Sequence, residues 1–199
     1  MTFWHTSDTH FGHARIIELC NRPFKDIFHM DNEIVRIWNT IVAPDDVVFH
    51  HGDVALGSID YSLAKVGELN GHKILINDGN HDRPFMSRGK ARYDEWMNRY
   101  AEVFQEIWAP GVLPDLYSVP VNLSHFPYDG DSHGADRYAK DRLPDDGTVL
   151  IHGHTHGKEI ATTSAAGTLQ IHVGMDAFDF ALVSQDQIQN LIDWHFESL

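Results

Sequence analysis

The stretch KILINDGNHD, residues 73–82, places an apolar run directly before a group of polar and acidic side chains. A short apolar run that is bounded by turn residues indicates a buried strand. The stretch VVFHHGD, residues 47–53, repeats this arrangement earlier in the chain, with a strand from Val47 to Phe49 and Asp53 after it. We therefore expect neighbouring buried strands that are each followed by polar and acidic side chains able to bind a ligand or take part in catalysis.

The first half of the chain alternates predicted strands and helices. Strands are predicted at TFWHTS, VVF and KILIN, and helices at HARIIELC (13–20), DNEIVRIWNTIV (31–42) and SIDYSLAKVGELNG (58–71). In the second helix, Ile34, Trp38 and Ile41 recur at helical spacing. Asp31 is placed to cap the start of that helix, and Gly71 is placed to end the next one. This order predicts right-handed crossovers and a largely parallel sheet.

The second half of the chain contains short apolar runs that are separated by turn residues. These runs follow an aromatic-rich predicted helix at RYDEWMNRY (92–100). The stretches LYSVPVNLSH (116–125), TVLIHGHTHG (148–157) and LQIHVG (169–174) predict a second and more antiparallel sheet. The fold class expected from both halves is therefore α/β with two sheets.

The end of the chain and its long loop complete the expected domain. The last predicted helix begins at Ser184, which is spaced from Gln187 as in a capping box. Residues 128–147 form one long polar loop, and such loops in compact domains are often functional. Because no segment is long enough to act as a linker, we expect residues 1–199 to form a single domain.

Charge and cysteine content argue against several classes of protein. A net charge of -14, with 15 Lys and Arg residues, disfavours binding to long nucleic acids, which requires clustered positive charge. The single cysteine, Cys20, cannot form an intramolecular disulfide, which fits a reducing compartment. No apolar stretch resembles a membrane span or a secretory signal. We therefore expect a cytoplasmic protein that does not act at membranes, but the 15 His residues need a functional reason.

Carboxylate, imidazole and amide side chains follow the predicted strands at the points where they end. The candidates are Asp8, His10, Asp53, Asn80, His125, His154 and His156. Because strand ends gather at one edge of a sheet, we expect these side chains to lie together, although each alone would suit an ordinary loop. Asp8 and His10 are two residues apart and would project the same way from a strand end.

This mixture of ligand types narrows the choice of metal. Imidazole with carboxylate and amide groups favours first-row ions over magnesium or calcium. We expect manganese first, with iron, zinc, cobalt and nickel as alternatives. Seven ligands are too many for one such ion, so we expect two divalent ions about 3.5–4 Å apart that share a carboxylate, a geometry suited to displacement at phosphorus.

The blocks DTH, GD, GNHD, a single His and GHTH, in this order, resemble the five signature blocks of the calcineurin-like metallophosphoesterases. The resemblance implies a four-layer α/β/β/α sandwich with a dinuclear metal centre at one rim. It implies that Asp8, His10 and His156 hold one ion, that Asn80, His125 and His154 hold the other, and that Asp53 bridges them.

The same resemblance suggests roles around the metal ions. His81, beside Asn80, would stabilise charge on the phosphate or protonate the leaving alkoxide. Asp82 would either orient His81 or cap the following turn. For Asn80, His13, Arg83 and Arg137 we consider contacts with substrate.

Each of the substrate contacts has an alternative explanation. His13 could equally be a loop histidine without a role. Arg83 belongs to the basic cluster RPFMSRGKAR (83–92), which could attract a nucleotide phosphate or simply be a solvated helix start. Arg137 lies in the long loop, where it would contribute to a lid that stacks on a base.

These features predict hydrolysis of small phosphodiesters, such as cyclic nucleotides, by a hydroxide that bridges the two ions. The block GDVALGS (52–58) departs from the GDxVDRG-like block of the protein-phosphatase branch.

Phosphomonoesterase or nuclease activity of the same fold is an alternative. An amidohydrolase barrel is disfavoured because it needs about 250 residues and opens with His-x-His. A non-catalytic interaction scaffold is less consistent with a full ligand set. The sequence does not predict the oligomeric state.

Overall fold

The computed structural model describes residues 1–85, 90–132 and 137–198. They form an α/β fold in which two mixed sheets are flanked by helices. Neither sheet closes into a barrel within these residues, so the amidohydrolase alternative does not apply. Most of the basic cluster at 83–92 cannot be placed, because Arg88 and the side chains of Lys90 and Arg92 lie outside the described part.

The first sheet contains the parallel strands that the alternating pattern predicts. Its strands are β1 (Phe3–Thr6), β2 (Val47–His50), β3 (His72–Ile76), β4 (Glu106–Trp108) and β10 (Val183–Ser184). They lie in the order β10-β1-β2-β3-β4, and every neighbouring pair is parallel except β10 with β1. The largely parallel sheet predicted from the first half of the chain is therefore confirmed.

The second sheet is less antiparallel than the sequence predicts. Its strands are β5 (Gly111–Leu113), β6 (Val121–Leu123), β7 (Val149–His152), β8 (Ala161–Thr163) and β9 (Leu169–His172). In the order β5-β6-β7-β9-β8, only the edge strands β5 and β8 are antiparallel to their neighbours. The central three strands are parallel because the segments between them are long enough for crossovers.

Five helices are present in the described ranges: α1 (Ile16–Leu19), α2 (Ile27–Ile41), α3 (Ile59–Gly67), α4 (Lys90–Tyr100) and α5 (Gln185–Glu197). The predicted start of α2 is wrong. Asp26 caps this helix by accepting a hydrogen bond from the backbone N–H of His29 at 2.8 Å. Asp31 is buried within the helix and accepts a hydrogen bond from the N–H of Gly12.

The other two predicted helix boundaries have different outcomes. α3 ends at Gly67, whereas Gly71 lies in the turn into β3 at a φ of 93°, a left-handed conformation that favours glycine. The capping box of Ser184 and Gln187 is confirmed at the start of α5. No helix in the described ranges is long and apolar enough to cross a membrane.

Two hydrophobic clusters lie on opposite faces of the first sheet. On one face, Ile34 and Trp38 of α2 pack with residues such as Leu75 of β3. On the other face, side chains of both sheets meet, and Ile188 and Ile192 of α5 join them. At about 25 cal/mol per Å² of apolar surface removed from water, these two interfaces supply the main stabilisation of the fold. They also hold the strand ends of both sheets at one edge.

The outer face of the second sheet is polar and is covered by residues 126–131. The N–H of Tyr128 donates to the side-chain oxygen of Gln170 on β9 at 2.6 Å. The hydroxyl of Tyr128 accepts a hydrogen bond from the side chain of Asn122 on β6 at 2.8 Å. In an α/β/β/α sandwich, helices would cover this outer face. Because a loop covers this part of it, the four-layer sandwich stays a prediction.

Candidate metal centre

Backbone hydrogen bonds join the loops that follow β1, β2, β6 and β7. The N–H of Asp8 donates to the carbonyl of Gly52 at 3.1 Å, and the N–H of Gly153 donates to the carbonyl of His125 at 3.0 Å. The N–H of His154 donates to the carboxylate of Asp8 at 3.0 Å. These contacts bring loops of both sheets to one edge, where most of the candidate ligands lie.

Five of the seven candidate ligands have a left-handed backbone. Their φ angles are 61° at Asp8, 53° at His10, 53° at Asp53, 72° at His154 and 54° at His156. Such a conformation costs a non-glycine residue about 1–3 kcal/mol and persists where the surroundings impose it, often at functional sites. The explanation from strand alternation is therefore wrong: β1 ends at Thr6, and the loop backbone orients Asp8 and His10.

Asp8, His10 and His156 form the first cluster, and their ligand atoms lie within 4.8 Å of one another. Oδ1 of Asp8 is 3.8 Å from Nε2 of His10 and 3.9 Å from Nε2 of His156. Nδ1 of His156 donates to Asp176 at 2.8 Å, which leaves the lone pair of Nε2 directed to the cluster.

Asp53, Asn80, His125 and His154 form the second cluster. Nε2 of His125 lies 3.3 Å from Oδ1 of Asn80, 3.2 Å from Nδ1 of His154 and 3.5 Å from Oδ2 of Asp53. Nδ1 of His125 donates to the backbone carbonyl of His51 at 2.8 Å, so Nε2 carries a lone pair that can bind a metal.

Asp53 lies between the two clusters. Its Oδ2 is 3.7 Å from Nε2 of His10 in the first cluster and 3.5 Å from Nε2 of His125 in the second. Its Oδ1 accepts a hydrogen bond from the backbone N–H of His81 at 2.8 Å, which fixes the carboxylate. Gly79 makes this approach possible, because a Cβ atom there would fall 2.2 Å from the backbone nitrogen of Asp53.

The donor atoms fit divalent metal ions. Oδ1 of Asp8 and Nε2 of His10 are buried and have no hydrogen-bond partner among the described residues, an arrangement that costs free energy unless a ligand binds there. Ligand atoms about 2.1 Å from one cation lie about 3.0–3.4 Å apart in tetrahedral or octahedral geometry. The observed spacings would need only a small contraction of the first cluster.

Burial and neighbouring charges set the protonation of these groups. Burial lowers the pKa of His154 to about 4 and lowers the pKa of His10 well below its ordinary value. Both imidazoles are therefore neutral, as metal binding requires. Burial alone would raise the pKa of Asp8, but the nearby imidazoles of His156 and His125 outweigh it, and the pKa is lowered. In the first cluster, the carboxylate of Asp8 therefore lies beside the neutral imidazole of His10 and beside His156, whose raised pKa means that a metal ion would have to displace a proton.

His81 and Asp82 have different environments. The side chain of His81 is 41% exposed, and its Nε2 lies 4.0 Å from Oδ2 of Asp53, so it can contact both the cluster and a ligand in the cleft. Neither predicted role of the Asp82 side chain, to orient His81 or to cap a turn, matches its contacts. Oδ1 of Asp82 instead accepts hydrogen bonds from the backbone N–H of Val54 at 3.0 Å and the hydroxyl of Tyr100 at 3.1 Å.

A cleft of about 610 Å³ opens over the two clusters. Of the candidate substrate contacts, His13, Asn80 and Arg137 line it, together with His81. Arg83 does not line this cleft. The guanidinium group of Arg83 instead lies over the ring of Trp96, 5.7 Å from its centre.

Comparison with known proteins finds two relatives that match nearly the whole chain. The gene 66 protein of Mycobacterium phage L5 is 38% identical over 199 residues, which cover 96% of this chain and 93% of that protein. The chain belongs to the gene 66 protein family. The gene 66 protein of Mycobacterium phage D29 is 36% identical over 197 residues, covering 96% of this chain and 95% of that protein. No protein-family model matches the chain.

Proteins that are less similar to this gene 66 family member come from cellular organisms rather than phages. An uncharacterized protein of Methanocaldococcus jannaschii is 28% identical over 191 residues, covering 94% of this chain and 89% of that protein. A crystal structure of a protein of unknown function from Aquifex aeolicus superimposes with a TM-score of 0.70 at 25% identity, covering 96% of this chain and 98% of that one. A phosphopantetheinyl hydrolase of Mycobacterium tuberculosis gives a TM-score of 0.43 at 17% identity, covering 87% and 88%.

Arg22 and Asp176 support the first cluster of this gene 66 family member, and the sequence analysis missed both. The guanidinium group of Arg22 donates to both carboxylate oxygens of Asp176, at 2.9 and 2.8 Å, and to the backbone carbonyl of Asp8 at 2.8 Å. Asp176 also accepts the hydrogen bond from His156 and, despite burial, raises the pKa of that imidazole. The position of Asp176 in the sequence could have indicated its role, because this residue comes shortly after β9, just as the predicted ligands come shortly after other strands.

We expect Asp176→Asn to weaken metal binding at the first cluster by about 10–100-fold, because the fixed orientation of His156 depends on this carboxylate. Calorimetric titration with Mn²⁺ should show one weakened site and one unchanged site. Asp179→Asn is the matched control, since the side chain of Asp179 is fully exposed in the same loop. Equal weakening of both sites, or of neither, would contradict this role.

Proposed function

We propose that this member of the gene 66 family is a dinuclear metal-dependent phosphoesterase that hydrolyses small phosphodiesters, such as cyclic nucleotides. We propose further that its fold is the four-layer sandwich of the calcineurin-like metallophosphoesterases, formed by residues 1–199 as one domain. The observation that carries this proposal is the convergence of seven carboxylate, imidazole and amide side chains from separate strand ends. Four of them, Asp53, Asn80, His154 and His156, line the cleft, and Asp8, His10 and His125 are buried beside them. Three of their buried ligand atoms, Oδ1 of Asp8, Nε2 of His10 and Nε2 of His154, have no hydrogen-bond partner in the described chain.

The ligand roles in this proposal follow the two clusters. Asp8, His10 and His156 would hold one divalent ion, and Asn80, His125 and His154 would hold the other. The carboxylate of Asp53 contacts both, as its position between Nε2 of His10 and Nε2 of His125 favours. When bound, the ions, of which manganese is the first candidate, attract the phosphate and lower the pKa of a water molecule that becomes the nucleophile.

The local charge favours an anionic substrate even though the protein is acidic. Two divalent ions and the carboxylates of Asp8 and Asp53 give a local charge of about +2 before a substrate binds. His13 and Arg137 face the same cleft and supply hydrogen-bond donors for phosphate oxygens. The net charge of -14 still disfavours long nucleic acids, so a small phosphoester is the proposed substrate.

His81 has the position of a proton donor to the leaving group. It lines the cleft, its ring is partly exposed, and its backbone N–H is fixed by Asp53. A histidine in this position can donate a proton to the alkoxide as the phosphorus–oxygen bond breaks. Asp82 holds the loop after β2 in place and does not contact the reacting atoms in this proposal.

The direct test is hydrolysis of bis-p-nitrophenyl phosphate by protein loaded with Mn²⁺. We expect release of p-nitrophenolate that is abolished by EDTA and restored by added Mn²⁺. p-Nitrophenyl phosphate in parallel distinguishes a monoesterase, and a panel of cyclic nucleotides, dinucleotides and single-stranded DNA defines the substrate. Metal-loaded protein without activity on any of these would refute the enzyme and favour an interaction scaffold.

A further inference from the structure

A second cavity, of about 370 Å³, lies between the outer face of the second sheet and the segment that covers it. His152 of β7 and Gln170 and His172 of β9 form its floor, and residues 127–131 form part of its wall. Its volume is within the range of about 300–1,000 Å³ that is usual for pockets that bind small molecules. No residue of the two metal clusters is part of this lining.

The imidazole of His152 belongs to the floor of this cavity and carries an unsatisfied hydrogen-bond acceptor. Its side chain is buried, and its Nδ1 lies 2.8 Å from the backbone carbonyl oxygen of Gly153, to which it can only donate. The proton is therefore on Nδ1, and Nε2 carries the lone pair. Nε2 is buried and has no hydrogen-bond partner among the described residues, so a bound donor would satisfy it.

The remaining polar lining combines carboxylates with the side chains of Thr155, Thr162, Thr163 and Gln170, which can both donate and accept hydrogen bonds. Asp129, Asp131 and Glu159 contribute carboxylates to the wall. This negative charge disfavours a second phosphate or carboxylate in the cavity. Arg137 donates to Asp131 at 2.8 Å and offsets one of these negative charges. A lining that repels anions and offers carboxylate, hydroxyl and amide groups suits a ligand that is rich in hydroxyl donors.

The cavity adjoins the cleft over the metal clusters. Thr155 lines both spaces. The pair of Asp131 and Arg137 separates them, since Asp131 lines the cavity and Arg137 lines the cleft. Oδ1 of Asp131 is 3.4 Å from Nε2 of His154, so the cavity lies next to the second cluster. One molecule could therefore place a phosphate in the cleft and its organic part in the cavity.

We propose that this cavity binds the hydroxyl-rich, non-anionic part of a phosphoester substrate, such as a sugar or another polyol. This inference rests on the proposed function for the phosphate end of the molecule. The binding of the polyol itself depends only on the residues around the cavity, so the two proposals can fail separately.

Gly157 offers a way to fill the cavity without strain in the backbone. It lines the cavity, and a Cβ atom at this position would meet nothing closer than 3.8 Å. We expect Gly157→Leu to occupy the space that a polyol would need, whereas Gly157→Ala adds one methyl group and serves as the matched control. Metal content and the thermal unfolding midpoint of both variants show whether the neighbouring His156 is disturbed.

The test is saturation-transfer NMR with methyl β-D-ribofuranoside, which carries hydroxyl groups but no phosphate. We expect transfer in the native protein and in Gly157→Ala, and its loss in Gly157→Leu. 2-Methyltetrahydrofuran, a ring of the same size without hydroxyls, should give no transfer in any of them. Absence of transfer in the native protein, or equal transfer in Gly157→Leu, would overturn the inference. Transfer without hydrolysis of any phosphoester would instead refute the proposed function alone.

Discussion

Asp53→Asn should lose metal from both clusters at once. Oδ2 of Asp53 is the carboxylate oxygen that faces His10 on one side and His125 on the other, so removal of its charge weakens two sites. Loss of an outer hydrogen-bond partner already costs about 10–100-fold in metal affinity, and the loss of a shared charged ligand should cost more. Metal analysis after dialysis should show a fall from about two bound ions per chain toward none.

The isosteric change keeps the result interpretable. An asparagine at position 53 can still accept the hydrogen bond from the N–H of His81, so the loop should keep its conformation. Asp94→Asn, on the exposed surface of α4, removes the same charge far from the cleft and is the control. An undisturbed pair of ions would refute the bridging role, and loss of a single ion would restrict Asp53 to one cluster.

The sequence predicted which side chains meet at one edge of the sheets because these residues are local to strand ends. Each candidate follows an apolar run, and the strand order that brings these runs to one edge follows from the alternation of strands and helices. The clustering of Asp8, His10 and His156 required only this rule. What the rule could not give is the conformation of the loops, since left-handed backbone at Asp8 and His10 depends on contacts with distant segments.

The supporting residues were missed for a physical reason of the same kind. Arg22 and Asp176 are 154 positions apart, and nothing in either local sequence indicates that they meet. Asp82 follows a motif residue and was therefore given a catalytic or capping role, but its burial directs it to Val54 and Tyr100. Burial also raises the pKa of Asp82 to about 7. Hydrogen bonds across long sequence separations are determined by packing rather than by pattern.

His81→Ala should reduce kcat by about 10²–10⁴-fold, the usual contribution of a positioned general acid. Its ring is partly exposed over the cleft and is not part of either cluster, so the metal content should stay unchanged. Steady-state hydrolysis of bis-p-nitrophenyl phosphate together with metal analysis measures both quantities. His195→Ala, on α5, removes a histidine that lies outside the cleft lining and is the matched control.

The leaving group distinguishes proton donation from a contact that merely binds phosphate. p-Nitrophenolate is stable without a proton, whereas an alkoxide is not, so His81→Ala should slow hydrolysis of alkyl diesters more than hydrolysis of p-nitrophenyl diesters. Equal losses for both substrates would assign His81 to binding of phosphate charge instead of protonation. A loss of bound metal would show that the imidazole of His81 is itself a ligand, and it would then replace one of the proposed ligands beside Oδ2 of Asp53.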